Sequence, residues 1–152
     1  YLEDMHPERP GLPGTPQDKA RARLIARVYD LYAAAHSTTL MRQVGAADAD
    51  LKARAAALEG LAAGLAHVER HMADAPYAAS AQPSLADCAL LPPMVQIRRV
   101  AAPMFGLADP TAGTGRIARW WKTMESDPVF AEFAAGYDKA VQGLVEKRLA
   151  GG

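Results

Sequence analysis

Residues 83–93, Pro83-Ser84-Leu85-Ala86-Asp87-Cys88-Ala89-Leu90-Leu91-Pro92-Pro93 (PSLADCALLPP), open as a well-capped helix and place two prolines where that helix should continue. Ser84 can cap the first turn, and Asp87 can return a bond to it from three residues on, a short-armed version of the reciprocal Ser/Thr-to-Glu box. The positions that follow, Ala86, Leu90, Met94, Val95 and Ile97, are apolar on nearly every side until Arg98-Arg99. A helix with no polar face belongs at the centre of its domain. Pro92 lies too deep for the tolerated first turn, so it removes an internal bond and bends the helix, and Pro93 adds to the kink.

The neighbours of this stretch are helical as well. Thr15-Pro16-Gln17-Asp18 is a start signal: Thr15 accepts from a free amide, Pro16 suits the first helical position, and Asp18 complements the positive end of the dipole. The helix is expected from Pro16 to about Val44, closed by Gly45. Leu24, Val28, Leu31 and Ala35 form one stripe, with Ile25, Tyr29 and Tyr32 beside it and Lys19, Arg21, Arg23 and Arg27 mostly opposite. A second helix, capped by Asp48, carries Leu51, Leu58, Leu61, Leu65, Val68 and Met72 on a seam that favours antiparallel packing on the first. Gly60 and Gly64 lie inside it at about 1 kcal/mol each against alanine, so close approach of a neighbouring helix is the expected reason. Residues 74–83 and Thr111–Gly115 read as loops. Ile117, Trp120, Trp121 and Met124 mark a short helix ending before Asp127-Pro128, and Pro128 starts a last one through Val129, Phe133, Tyr137, Val141 and Leu149. No period-two run rich in β-branched residues occurs, so the fold class is all-α, a bundle of about five to six helices.

Composition bounds the function. The chain has 152 residues, half of them apolar, with 17 basic and 17 acidic side chains. That is one domain with a real core and no basic excess, which disfavours nucleic acid as a partner. No apolar stretch approaches the roughly 20 residues of a membrane span, and the single cysteine, Cys88, fits a reducing compartment. A soluble, cytoplasmic protein is expected. His6 to Pro16 is a Pro-Gly-rich linker. Tyr1-Leu2-Glu3-Asp4 reads as the last turn of an element that starts earlier, so residues 1–14 are expected to be the end of a preceding domain with its linker, and 15–152 the helical domain.

Ser84-Leu85-Ala86-Asp87 at a helix start, with a proline eight residues after the serine, resembles the C-terminal domain of cytosolic glutathione transferases. Tyr1-Leu2-Glu3 with the Pro-rich linker resembles the crossing from that family's thioredoxin-like domain, and Arg119-Trp120-Trp121 followed by Ser126-Asp127-Pro128-Val129 resembles its penultimate helix and turn. The resemblance implies a two-domain, homodimeric detoxification enzyme that conjugates glutathione, its co-substrate, to small electrophiles without a metal. The thiol-activating Tyr, Ser or Cys belongs to the thioredoxin-like half, so no catalytic residue is assigned in this chain, and alone it should conjugate nothing. The helical domain walls the electrophile site from its first helix, which here implies Tyr29, Tyr32, His36 and Leu40. These fall along one slowly drifting stripe, apolar with phenol and imidazole tips. Core or interface packing is the other use of the two tyrosines. Asp30 stands where several classes place an acidic residue that reaches the α-amino group of glutathione on the partner subunit, and a plain solvated aspartate is its other reading. Ser84 and Asp87 serve folding. The usual bulky pair around the cap is here Pro83 and Cys88, a weaker staple. A non-catalytic helical module of the same fold, as in translation or synthetase assemblies, is the alternative function.

Three other signals are weaker. His67 and His71 are four apart on one helix, but HVERH has its glutamate in the wrong place for a zinc protease motif and no third ligand accompanies it. Cys88 is expected to be a buried, inert thiol. Of Trp120 and Trp121, about 100° apart on a helix, one should enter the core while the other covers a seam or touches another domain.

Overall fold

A computed structural model describes residues 5–8 and 10–151, so the expected helix end at Tyr1-Leu2-Glu3-Asp4 lies outside the described residues. Every regular element among them is helical: α1 Pro16–Tyr32, α2 Ala34–Arg42, α3 Leu51–His71, α4 Leu85–Gln96, a π turn Ile97–Ala101, α5 Ala102–Phe105, α6 Arg116–Ser126 and α7 Pro128–Gly151. The all-α expectation holds.

The caps form where short polar side chains precede apolar runs. Thr15 and Asp18 make a capping box at α1, the Asp18 amide donating to Thr15 Oγ1 at 3.2 Å and the Thr15 amide to Asp18 Oδ2 at 3.0 Å. The α3 cap is Asp50 and not Asp48: Asp50 Oδ1 accepts from the Ala53 amide at 2.9 Å. Asp48 lies two residues too early for that bond.

The single long helix expected from Pro16 to Val44 is broken at Ala33, whose φ of −123° leaves the helical range. The break lies against Gly64 of α3, where a Cβ would run into the Tyr32 carbonyl and come within 3.0 Å of the Ala33 Cα. Gly64 is thus the place where two helix backbones touch. Gly60, one turn earlier, makes room for the His36 ring instead.

The buried face of α1 is Ala22, Ile25, Val28 and Tyr29, while Leu24 and Leu31 stand 45% and 57% exposed. Of the two adjacent stripes in the sequence, the one centred on Ile25 meets α3 and α4, and Leu24 and Leu31 project the other way. Along α3 the seam of Leu61, Leu65, Val68 and Met72 is buried, but Leu51 at its start is exposed.

Helix α4 packs against α1 and α7 at the centre of the bundle, as its apolarity predicts, and buries Ala86, Leu90, Leu91, Met94 and Val95. The linker is strapped to its start: the Leu85 amide donates to the Gly11 carbonyl at 2.7 Å, and Leu12 enters the core. Helix α4 runs through Pro92 and Pro93 to Gln96 and then widens into the π turn. Cys88 is exposed, not buried, because it shares the outer stripe of α4 with Leu85 while its neighbours Asp87 and Leu90 turn inward. Partial desolvation and the adjacent Asp87 carboxylate push its thiol above the ordinary value.

Both tryptophans are buried. Trp120 enters the core and donates to Asp87, whereas Trp121 covers the seam beside α7 and donates to Glu125 Oε1 at 2.6 Å.

Candidate functional site

Between the α1–α2 bend and α4 lies a cleft of about 290 Å³ bordered by Tyr29, Asp30, Ser37, Pro92, Pro93 and Gln96. Each wall follows from the local sequence. Tyr29 is one turn ahead of the Ala33 break, and the break places Ser37 of α2 beside it. On the opposite wall the two prolines have no amide to donate, so the carbonyls of Cys88 and Ala89 lose their usual α-helical donors. The cleft therefore combines pyrrolidine rings and alanines with the polar side chains of Tyr29, Asp30, Ser37, Thr38 and Gln96.

The Tyr29 side chain is 7% exposed, and burial pushes its phenol up to about 12, against a side-chain hydrogen bond with Ser37 that pulls it back. At neutral pH it is an un-ionised phenol, a hydrogen-bond donor. Gln96 Nε2 donates to the Tyr137 hydroxyl of α7, which brings the last helix to the floor of this region. Asp30 is exposed at the rim.

The stripe of Tyr29, Tyr32, His36 and Leu40 is not brought together on one surface. Tyr32 is half exposed and stacks on His67 of α3, with ring centroids 5.1 Å apart and planes 14° from parallel. His36 lies over Gly60, also on the α3 side, and Leu40 is buried in the main core. Tyr32 and His36, on either side of the break at Ala33, both face α3, whereas Tyr29, three residues before Tyr32 on α1, faces the cleft. Among the described residues no cluster of three or more His, Cys, Asp or Glu side chains gathers, and no helix is long and apolar enough to cross a membrane.

Ser84 and Asp87 form a second constellation, fully internal. Asp87, 0% exposed, accepts from the Ser84 amide at 2.7 Å and the Ser84 hydroxyl at 3.0 Å through Oδ2, and from the Ala78 amide and Trp120 Nε1, both at 2.8 Å, through Oδ1. One carboxylate thus ties the α4 cap, the 74–83 loop and α6 together. The sequence marks the cap; nothing in it pairs Asp87 with an indole 33 positions later. Ser37 and Gln96 are likewise absent from the sequence-based site, since only tertiary packing brings α2 and α4 to the cleft, and Tyr137 joins them at one remove by accepting from Gln96.

The family model for the glutathione S-transferase C-terminal domain matches residues 51–122. That span holds α3, α4, the π turn, α5 and most of α6, including the Asp87 hub and both prolines. Helices α1 and α2, with Tyr29 and Asp30, precede it. No curated protein matches the chain.

Proposed function

We propose, from the premise that this chain carries a glutathione S-transferase C-terminal domain, that the Tyr29 cleft is its wall of the electrophile site in glutathione conjugation. The observation that carries the reading is the meeting of Tyr29 and Asp30 with Pro92, Pro93 and Gln96 of the central helix in one open cleft. Tyr29 would donate to a polar substituent or a developing negative charge on the electrophile, and the proline rings would pack on its apolar body. Attack itself needs a stabilised thiolate. In this reading the groups that supply it would belong to a thioredoxin-like domain. Asp30, at the rim, offers a carboxylate to the α-amino group of glutathione on a partner subunit. Leu24, Leu31, Tyr32 and His36, on the other side of α1–α2 and along α3, would then serve the homodimer contact more than the substrate.

The test is conjugation of an aryl halide to glutathione by the full-length protein, with glutathione-affinity retention measured alongside. Tyr29→Phe should raise KM for the electrophile several-fold and leave retention on immobilised glutathione unchanged, while Asp30→Asn should weaken retention. Absence of both retention and conjugation in the unmodified protein sinks this reading in favour of a non-catalytic helical module.

A further inference from the structure

A different face of α4 carries a second cavity of about 240 Å³, walled by Val95, Trp121, Met124, Ala131, Ala134 and Ala135 between α4, α6 and α7. The three alanines leave the space that larger side chains on α7 would fill. Arg98, Glu125 and Asp138 complete the lining.

The three charged groups differ in what they still have to bond. Asp138 accepts a two-pronged pair from Arg99, 2.7 Å at Nε and a shorter bond at Nη2, which holds its carboxyl below the ordinary range. Glu125 accepts from the Trp121 indole. The Arg98 guanidinium forms two long ion pairs, with Glu125 at 3.5 Å and Asp109 at 3.8 Å, and no side-chain hydrogen bond among the described residues. It also lies over the Trp121 ring, 4.6 Å from the centroid, and so places its planar fork of donors at the cavity wall.

This placement comes from the π turn. Arg98 and Arg99 lie in the single π turn that follows the two prolines; Arg99 is delivered to Asp138 and Arg98 to the cavity beside Trp121. Single π turns of this kind often accompany binding sites.

We infer that this cavity binds a small aromatic carboxylate, its ring packed on Trp121, Met124 and the α7 alanines and its carboxylate paired with Arg98. A guanidinium fork matches a carboxylate in geometry as well as charge. Glu125 is half exposed and yields the Arg98 donors by turning outward, giving up the bond it accepts from the Trp121 indole.

The experiment is a titration of the 152-residue chain with benzoate and, separately, with benzylamine and benzyl alcohol, followed by proton–nitrogen correlation spectra of the two indole N–H groups. Benzoate should shift the Trp121 indole signal saturably, leave that of Trp120 in place, and bind at least about tenfold more tightly than either neutral or cationic analogue. Arg98→Gln should weaken benzoate about tenfold with the thermal midpoint preserved, and Ala134→Leu should abolish binding by filling the space. Should Ala134→Leu fail to fold, the Arg98→Gln comparison decides alone. Equal binding of benzylamine, benzoate affinity unchanged by Arg98→Gln, or no saturable shift at all overturns the inference.

Discussion

Replacing Asp87 by asparagine sets the cost of losing a charged acceptor against the benefit of removing a buried charge. Taking an ionised carboxylate out of water is expensive, and an unpaired one would favour the substitution. Asp87 is not unpaired: it accepts from the Ser84 amide and hydroxyl, the Ala78 amide and the Trp120 indole, all within 3.0 Å. Asparagine keeps one acceptor oxygen and presents an NH2 in place of the other. Whichever way the amide turns, at least one buried N–H loses its partner and faces another donor, at roughly 1–3 kcal/mol for each such group, and the surviving bonds lose their charge assistance. The expected total is about 3–5 kcal/mol, a large share of the 5–15 kcal/mol that typically holds a domain together. At about 2–4 °C per kcal/mol for a chain of this size, the thermal midpoint should fall by roughly 6–20 °C, read by circular dichroism and by urea titration. Trp120→Phe, which deletes a single donor, supplies the second corner of a cycle. The double variant should lose about 1 kcal/mol less than the sum of the two, because the indole is then no longer left without an acceptor. A loss below about 1 kcal/mol for Asp87→Asn, or strict additivity in the cycle, would refute the hub.

Gly64→Ala should destabilise, because the added methyl meets the Tyr32 backbone carbonyl, and overpacking of about 1–3 kcal/mol exceeds the roughly 1 kcal/mol of helix propensity gained. Gly136→Ala, on α7 with nothing within 4 Å of the new methyl, should instead stabilise by about 0.5–1 kcal/mol, so urea midpoints moving in the same direction for both would contradict the packing argument. Glu69→Ala should cost about 1 kcal/mol, since Glu69 Oε1 accepts from the Ile117 amide at 3.1 Å and so caps α6, whose own cap residue is Gly115. Tyr29, with its phenol raised to about 12, holds its proton more tightly folded than unfolded, so its contribution is complete below pH 10 and is lost as pH rises toward 12. The slope of that loss is at most about 1.4 kcal/mol per pH unit, and the alkaline fall in urea midpoint should be shallower in Tyr29→Phe.

The caps, the all-helical class and the central place of α4 are legible in the sequence because they depend on residues within four positions of each other. Thr15 with Asp18 and Ser84 with Asp87 announce their helix starts by chemistry that needs no tertiary partner. Asp48 against Asp50 shows the limit of such signals, since two candidate caps two residues apart differ only in which amide lies within reach. The candidate site was less legible. Tyr29 lines the cleft, but Tyr32 on the same helix and His36 beyond the bend both face α3, and the bend between them has no local mark: Ala33 is a good helix former lying among alanines. Its counterpart is Gly64, thirty-one residues away, which admits the Tyr32 carbonyl.

The two prolines of α4 lie between the Tyr29 cleft and the π turn. A proline in a helix interior removes one hydrogen bond, and the sequence alone points to a kink; two in succession free two carbonyls, and the structure continues the helix and closes its next turn with the longer i to i+5 pattern. A π turn carries one extra residue for nearly the same rise, so the side chains after it are rotated relative to those before. Before the turn, Pro92, Pro93 and Gln96 face the Tyr29 cleft; within it, Arg99 reaches Asp138, Arg98 reaches the Trp121 cavity, and Val100 joins Val44 and Val141. Pro92, Pro93 and Gln96 thus line one cavity, Val95 walls the other from the same helix, and the π turn just beyond delivers Arg98 to that second cavity.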